Sequence, residues 1–208
     1  MKIGIIGAGF VGRSLAQKAI AAGHEVMISN SRGPQSLFSM QGGLGCAAGT
    51  VEEAAAFGEV IVLAIPLSAR EVLRAEDFAG KIVIDAINYY HERDGHIEAL
   101  DRGETTTSEM VATRLPDARV VKAFNAIRMT DLDVVGRPKG DEDRVALPLS
   151  GDDEDAKAVV AALYDTFGFD SHDAGPLSEG WRFERDRPAY CTLLKRQALA
   201  EALAATTR

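Results

Sequence analysis

Short runs of β-branched residues alternate with segments of helical periodicity through the first two thirds of the chain. The runs predict strands near residues 2–6, 25–28, 60–65, 81–85 and 119–123. The run 60–65 is apolar at every position, which is typical of a strand buried on both faces at the centre of a parallel sheet. The alternation of strand and helix predicts an α/β fold with a doubly wound, mostly parallel sheet.

Capping residues mark the predicted helix ends. Gly23 indicates the end of the first helix, and Pro34 fits the first turn of the next. Thr106 and Glu109 have the spacing of a capping box. The helix that they begin is expected to end at Leu115, before a proline.

The pattern changes after residue 127. The stretch 136–143 is rich in glycine, proline and charged residues, which predicts an exposed excursion. Beyond it, apolar residues at helical spacing predict a helix over 156–167, and a last helix is expected over 190–204. We therefore expect a main α/β domain over residues 1–127 and a small C-terminal α/β appendage over residues 128–208.

Composition narrows the classes of partner and compartment. The net charge of -8 argues against nucleic acid and anionic membranes as partners, because both require a basic surface. The two cysteines, Cys46 and Cys191, have no spacing that indicates a disulfide framework or a zinc site. This cysteine pattern fits a reducing cytoplasm. No apolar run approaches the roughly 20 residues of a membrane span, so we expect a soluble protein. His91 and His96 lie in a loop-like stretch, and no metal site is predicted.

A glycine-rich turn joins the first strand to the first helix. In GxGxxG turns of this context, the first glycine permits the tight turn, the second lets a pyrophosphate approach the backbone, and the third lets helix and strand pack closely. The amino terminus of the helix then faces the phosphates. The turn predicts a Rossmann-type dinucleotide site, and its residues are Gly7, Ala8, Gly9, Phe10, Val11 and Gly12.

The residues at the end of the second strand indicate which dinucleotide binds. An NAD-preferring site carries an acidic residue there, to accept hydrogen bonds from the ribose hydroxyls. This chain has Ser29, Asn30, Ser31 and Arg32 instead. Hydroxyl and amide donors with a guanidinium suit a phosphate dianion, so NADP(H) is predicted over NAD(H). Residues 1–127 are then the NADP(H)-binding domain, and 128–208 a substrate or dimerisation subdomain.

Several motifs together resemble the coenzyme F420-dependent NADP oxidoreductases, in which the second cofactor is a deazaflavin. The carboxy-terminal residues look like those of a bacterial subgroup. The similarity covers most of the chain. It is carried by the glycine turn, Ser31-Arg32, Ala64-Ile65-Pro66, Lys122-Ala123-Phe124-Asn125 and Asp173-Ala174-Gly175-Pro176-Leu177.

The resemblance implies roles for individual residues. Ser31 and Arg32 would hold the 2′-phosphate of NADP(H). The stretch Ala64-Ile65-Pro66 would border the nicotinamide side, and Asn125 with Ala126 would lie near the cleft. A more distant similarity is to the cytosolic oxidoreductase domain of metalloreductases, which pairs a similar NADPH-binding fold with a flavin.

The chemistry expected of such a site is hydride transfer. This reaction needs orientation and exclusion of water more than an acid or a base, so no catalytic side chain is assigned. Asn88 and Asn125 either hold a carboxamide or acceptor carbonyl at the carboxyl edge of the sheet or form turns there. Trp181 and Tyr190 either stack on an acceptor ring or pack a dimer seam, and the seam is favoured.

Two functions therefore remain in view. The favoured one is an NADP-dependent oxidoreductase that passes a hydride between NADP(H) and F420, a flavin or another small acceptor. The alternative is a non-catalytic NADPH-binding sensor or interaction module, since fold alone does not separate the two. A homodimer is expected in either case.

Overall fold

The computed structural model describes residues 1–208 and contains one eight-stranded sheet. The strand order is β3-β2-β1-β4-β5-β6-β7-β8. Strands β1 to β6 are parallel, β7 runs antiparallel to β6, and β8 is parallel to β7. The prediction of a doubly wound, mostly parallel sheet is confirmed. The strands are β1 Lys2–Ile6, β2 Glu25–Ser29, β3 Ala47–Gly49, β4 Val60–Leu63, β5 Ile82–Asp85, β6 Arg119–Lys122, β7 Ala146–Gly151 and β8 Asp170–Asp173.

Nine α-helices and four short 3₁₀ segments connect the strands. None of the helices has the length and apolarity needed to cross a membrane. The α-helices are α1 Phe10–Ala21, α2 Phe38–Leu44, α3 Val51–Phe57, α4 His91–Asp94, α5 Glu98–Asp101, α6 Thr107–Arg114, α7 Met129–Val134, α8 Glu154–Phe167 and α9 Arg196–Ala205. The 3₁₀ segments are Pro34–Leu37, Leu67–Val72, Ala75–Asp77 and Leu177–Phe183.

The central strand β4 contributes to a core on each face of the sheet. Val60 and Val62 pack into the apolar cluster that also holds residues of α1 and α8. Ile61 and Leu63 point to the other face, into the cluster that includes Val111 of α6. All four strand residues are at most 4% exposed, as the unbroken apolar run predicts.

Two of the predicted helices, α6 and α8, begin close to the expected residues, and a third does not. Thr106 caps α6, its hydroxyl accepting the Glu109 N–H at 3.1 Å while the Glu109 carboxylate accepts the Thr106 N–H at 2.8 Å. Asp153 caps α8 by accepting the Ala156 N–H at 2.7 Å. The helix predicted over 190–204 is corrected: α9 begins only at Arg196, because Cys191 has a left-handed backbone with φ of 53°.

Strands β6 and β7 pair over only two positions, Val121 with Gly151 and Lys122 with Ser150. Beyond this point the buried hydroxyl of Tyr164 bridges the two strands. It accepts the N–H of Phe124 and donates to the carbonyl of Pro148, each at 2.9 Å. Burial raises the pKa of Tyr164, so the hydroxyl keeps the proton that it donates. The Tyr164 side chain thus links β6 and β7 beyond their short backbone ladder, where the strand direction in the sheet reverses.

Candidate cofactor and acceptor site

A cleft of about 370 Å³ opens at the carboxyl ends of β1, β2 and β4. This is the edge of an open α/β sheet where ligands are expected. Nine of the sequence-predicted site residues line the cleft. They are Gly7, Ala8, Gly9, Asn30, Ser31, Arg32, Ala64, Ile65 and Pro66. The sequence did not identify Val51, Ala69 and Val72, which complete the apolar part of the lining together with Ile6.

The three glycines of the turn differ in their surroundings. Gly7 has φ of +114°, and a Cβ there would lie 2.2 Å from the carbonyl oxygen of Ala64. A Cβ at Gly12 would lie 1.9 Å from the carbonyl oxygen of Gly7, so this glycine permits the close packing of α1 on the turn. A Cβ at Gly9 would meet nothing within 4 Å. The open space above Gly9 fits the close approach of a pyrophosphate.

Three other predicted residues flank the turn without lining the cleft. Phe10 begins α1 and is 69% exposed. Val11 follows it and packs partly against the larger core. Ser29 ends β2 fully buried, and its hydroxyl donates to the carbonyl of Ile5 at 3.4 Å. Of the predicted hydrogen-bond donors after β2, Ser29 therefore does not face the cleft, and the first that lines it is Asn30.

Side-chain hydrogen bonds order the loop after β2. The Asn30 carboxamide oxygen accepts the Arg32 N–H at 2.9 Å, and its amide donates to the Ser36 hydroxyl at 2.9 Å. The Ser36 hydroxyl also bonds the Gly33 carbonyl at 2.7 Å. Arg32 is the one charged residue among those that line the cleft. The backbone of Arg32 is thus held beside the cleft, and its side chain could meet a phosphate dianion there without a competing carboxylate in the lining.

Asn88 and Asn125 are brought together at the ends of β5 and β6. The amide of Asn88 donates to the Asn125 carbonyl at 2.9 Å, and the amide of Asn125 donates to the Asn88 side-chain oxygen at 3.2 Å and to the Phe183 carbonyl at 3.0 Å. Asn125 is only 3% exposed, and its side-chain oxygen is buried without a partner. Ala126 is buried beside it, and its carbonyl accepts the Cys191 N–H at 3.0 Å. These residues lie at the predicted edge, but outside the lining of the cleft.

The carboxylate of Asp94 ties the loop after β5 to the cofactor cleft. It accepts the N–H and hydroxyl of Ser68, just beyond Pro66, at 3.2 and 3.0 Å. It also accepts the N–H of Tyr90 at 3.1 Å and pairs with Arg93 at 2.8 Å. Although burial opposes ionisation, these hydrogen bonds lower the pKa of Asp94 to about 2. A fixed negative charge therefore holds residues 88–94 against the segment that follows Pro66.

A buried ionic cluster lies under the carboxyl edge of β5 and β6. The Lys122 ammonium donates to the Thr107 hydroxyl at 2.6 Å and lies 3.3 Å from a Glu184 oxygen and 4.0 Å from Asp85. The same Glu184 oxygen accepts the N–H and hydroxyl of Thr107 at 3.0 and 2.6 Å. Ser108 donates to Asp85. The side chains of Lys122 and Asp85 are completely buried.

The pKa values of the two carboxyl groups of this cluster are shifted in opposite directions. Burial raises the pKa of Asp85 in spite of Lys122 and the hydrogen bonds that it accepts. Burial also opposes ionisation of Glu184, but the charge of Lys122 and the hydrogen bonds from Thr107 hold its pKa below the usual range. Ionised Glu184 is therefore the main ion-pair partner of Lys122, while ionisation of Asp85 lowers the stability of the fold.

The segment 183–191 passes over the ends of β5 and β6. Glu184 enters the buried cluster, and Arg185 forms a bidentate pair with Glu92 at 2.6 and 2.9 Å. The Tyr190 hydroxyl bonds the hydroxyl of Tyr90. Together with the Phe183 and Cys191 backbone contacts described above, these bonds make the segment the outer wall of this edge.

Trp181 is packed within the chain, against both sequence interpretations. It is 8% exposed, and three guanidinium groups lie over its ring at 4.6 to 5.5 Å. Little of the ring is thereby left for a partner or an acceptor ring to contact. The guanidiniums belong to Arg182, Arg187 and Arg208.

Comparison with known proteins agrees with the geometry. Residues 2–89 match the family model described as NADP oxidoreductase, coenzyme F420-dependent. A solved structure from Arthrobacter sp. FB24, provisionally described as an F420-dependent NADP reductase, is 32% identical with a TM-score of 0.72, over 85% of each chain. A hypothetical protein of Sinorhizobium meliloti is 32% identical with a TM-score of 0.81, over 94% of this chain and 95% of that one.

A curated relative extends the comparison to a larger protein. Metalloreductase STEAP3 of Rattus norvegicus is 31% identical over 185 residues, which are 88% of this chain but only 36% of the rat protein. The present chain thus spans about a third of the length of that relative. The fold, the cleft and these similarities place the chain in a class of NADP-dependent oxidoreductases. It belongs to the family of coenzyme F420-dependent NADP oxidoreductases.

Proposed function

We propose that this chain is a reductase that binds NADP(H) in the cleft and exchanges a hydride with a second small molecule, a deazaflavin of the F420 type or a flavin. The observation that carries the proposal is the combination, in one cleft, of an open glycine turn and a single charged residue, Arg32. A sensor would need the same cofactor cleft but no acceptor surface beside it. We assign the acceptor surface to the carboxyl edge of β5 and β6, beside residues 183–191.

The residues of the cleft have distinct tasks in this proposal. Gly7, Gly9 and Gly12 shape a backbone surface for the pyrophosphate at the amino end of α1. Ser31 and Arg32 hold the 2′-phosphate, and Asn30 orders their loop. Ala64, Ile65 and Pro66 exclude water on the nicotinamide side, while the hydrogen-bonded Asn88–Asn125 pair fixes the neighbouring strand ends. When bound, NADPH supplies the hydride from C4 of its nicotinamide ring.

The cofactor assignment is tested by Arg32→Ala, with binding measured by fluorescence titration of NADPH and NADH. Losing a charge-assisted contact of about 1.5–3 kcal/mol weakens NADPH binding by about 10- to 100-fold. NADH lacks the 2′-phosphate, so its affinity stays close to that of the wild type. Arg13→Ala is the matched control, because it removes an exposed positive charge from α1 that does not line the cleft. Equal losses for both dinucleotides in Arg32→Ala would contradict the assignment.

The acceptor is tested by following NADPH oxidation with F420, FMN and menadione. With deuterium on the transferred position of NADPH, we expect the label on the carbon of the reduced deazaflavin. Because no histidine lines the cleft, replacing each one with glutamine leaves turnover within about tenfold, whereas a general acid or base contributes about 10²- to 10⁴-fold. The four positions are His24, His91, His96 and His172. Label found only in solvent, or a larger loss from one histidine, would contradict direct transfer.

A further inference from the structure

Hydride transfer leaves a need for one proton that the cofactor cleft does not meet. Reduction of a deazaflavin or a flavin by NADPH adds a hydride at one ring atom, and the electron pair displaced through the ring is neutralised by a proton on a ring nitrogen. None of the residues that line the cofactor cleft carries an acidic proton donor other than the small hydroxyl of Ser31. The donor must be sought on the acceptor side.

Two tyrosine hydroxyls meet on that side. Tyr90 belongs to the loop that follows β5, and Tyr190 belongs to the segment 183–191. Their hydroxyls are hydrogen-bonded to each other across 100 residues of sequence. Both side chains are half-buried, so the pair is partly accessible to solvent.

The loop connections show which tyrosine is nearer to the nicotinamide side. Strand β5 lies next to β4, whose end carries Ile65 and Pro66. Asp94 joins the Tyr90 backbone directly to Ser68, at 3.1 and 3.2 Å. Tyr190 lies one strand farther away, since its neighbour Cys191 donates to the carbonyl of Ala126 after β6. The backbone of Tyr90 therefore lies closer to the nicotinamide side than the backbone of Tyr190, and we take Tyr90 as the inner member of the pair.

Charged groups surround the inner tyrosine. The guanidiniums of Arg93 and Arg185 lie over its ring at 4.9 and 5.0 Å. Each is also paired with a carboxylate, so the local charges largely balance. Burial raises the pKa of Tyr190 and of the neighbouring Cys191 thiol, so both stay protonated at neutral pH. The ionisable groups that face the pair are Glu92, Arg93, Asp94, Arg185 and Cys191.

We propose that Tyr90 donates the proton that accompanies hydride transfer, and that Tyr190 restores it. As the C–H bond of NADPH breaks, its hydride forms a new bond to the acceptor, which gains two electrons while NADPH becomes NADP⁺. The O–H bond of Tyr90 breaks, and its proton goes to the acceptor nitrogen that receives the electron pair. The proton of Tyr190 moves to Tyr90, and solvent reprotonates Tyr190. This inference rests on the proposed function.

The experiment compares wild type, Tyr90→Phe and Tyr190→Phe in the reduction of F420 or, if only it is turned over, FMN. We expect Tyr90→Phe to lower turnover by about 10²-fold, within the range of general acids. Tyr190→Phe should lose less, because the inner donor remains. In Tyr90→Phe the proton comes from solvent, so the rate should rise about tenfold for each unit of decreasing pH, while wild type shows little change near neutrality.

Binding separates this role from a structural one. The dissociation constant of NADPH, measured by fluorescence without an acceptor, should be the same in all three proteins. Tyr89→Phe is the matched control, since its hydroxyl bonds only Gly95, Ile97 and Asp101 and should leave the pH profile unchanged. Wild-type turnover and pH profile in Tyr90→Phe, or a loss of NADPH affinity that accounts for its lower rate, would overturn the inference alone. A wild-type protein that reduces no acceptor would overturn the proposed function, and this inference with it.

Discussion

Replacing Lys122 with methionine would remove the only positive charge from the buried cluster while nearly preserving the side-chain volume. The carboxyl groups of Glu184 and Asp85, which lie 3.3 and 4.0 Å from the ammonium, would then face an apolar side chain instead. Removing one partner of a buried pair costs about 3–5 kcal/mol. For a chain of this length, 1 kcal/mol corresponds to roughly 2–4 °C in Tm, so we expect a decrease of roughly 6–20 °C.

The effect of this substitution should depend on pH in a defined direction. The folded protein raises the pKa of Asp85, so the protonated carboxyl group favours the folded state. This contribution to stability is lost as pH rises through the folded-state pKa. The lowered pKa of Glu184 gives a contribution that is present above its unfolded value and lost as pH falls through the folded one. Without Lys122, both pKa values rise, so the loss of stability in Lys122→Met should be larger at pH 8 than at pH 5.

Urea unfolding followed by circular dichroism measures this difference at each pH. The matched control is Lys122→Met combined with Glu184→Gln, which also removes the unpaired charge. We expect the double variant to be more stable than the single one, since a neutral amide needs no counter-charge. A single variant that loses less than about 1 kcal/mol, or loses the same amount at both pH values, would refute the electrostatic account of the cluster.

Four further substitutions test the backbone and the packing. Gly9→Val should abolish NADPH binding in a fluorescence titration while circular dichroism stays unchanged, and unchanged NADPH affinity would contradict the turn assignment. Gly12→Ala should lower Tm, because its Cβ would lie 1.9 Å from the Gly7 carbonyl oxygen. Thr106→Ala should cost about 1 kcal/mol in urea unfolding through loss of the cap of α6, and no loss would show that the capping box is dispensable. Tyr164→Phe should cost about 1–3 kcal/mol by leaving the Phe124 N–H unpaired, and a neutral effect would mean that the hydroxyl bridge is not needed.

The parts of the fold that were predictable are those governed by local patterns. The apolar run of β4, the glycine turn and the Thr106–Glu109 capping box each have a short sequence signature, and the structure contains all three. Strand β3 has only three residues, and β8 carries Ser171 and His172, so neither has an apolar run to reveal it. Strand β7 contains Pro148, which normally argues against an inner strand. Its carbonyl is satisfied by Tyr164, a contact that sequence patterns do not encode.

The candidate site was predictable to a similar extent. Residues close to the glycine turn and the second strand were found because phosphate recognition has a compact motif. Lys122 belongs to one of the sequence motifs, but its partner Glu184 lies 62 positions away along the chain. The pairing of Tyr90 with Tyr190 likewise depends on how the carboxy-terminal segment crosses the sheet. The division at residue 127 and the homodimer stay predictions.

The offset between β6 and β7 also bears on how the molecule could move. Because the ladder between them covers only the last residues of each, the first half of β7 extends past the end of β6 and forms a step beside the acceptor edge. Ala146, at the start of that step, donates to the Leu194 carbonyl just beyond the outer wall. The cofactor cleft and the acceptor edge are thus built on one continuous sheet, and a hinge motion that separated them as two domains would break that sheet. Adjustment to ligands of different size would fall to the loops 88–94 and 183–191, whose ion pairs and hydroxyl contacts can separate one at a time.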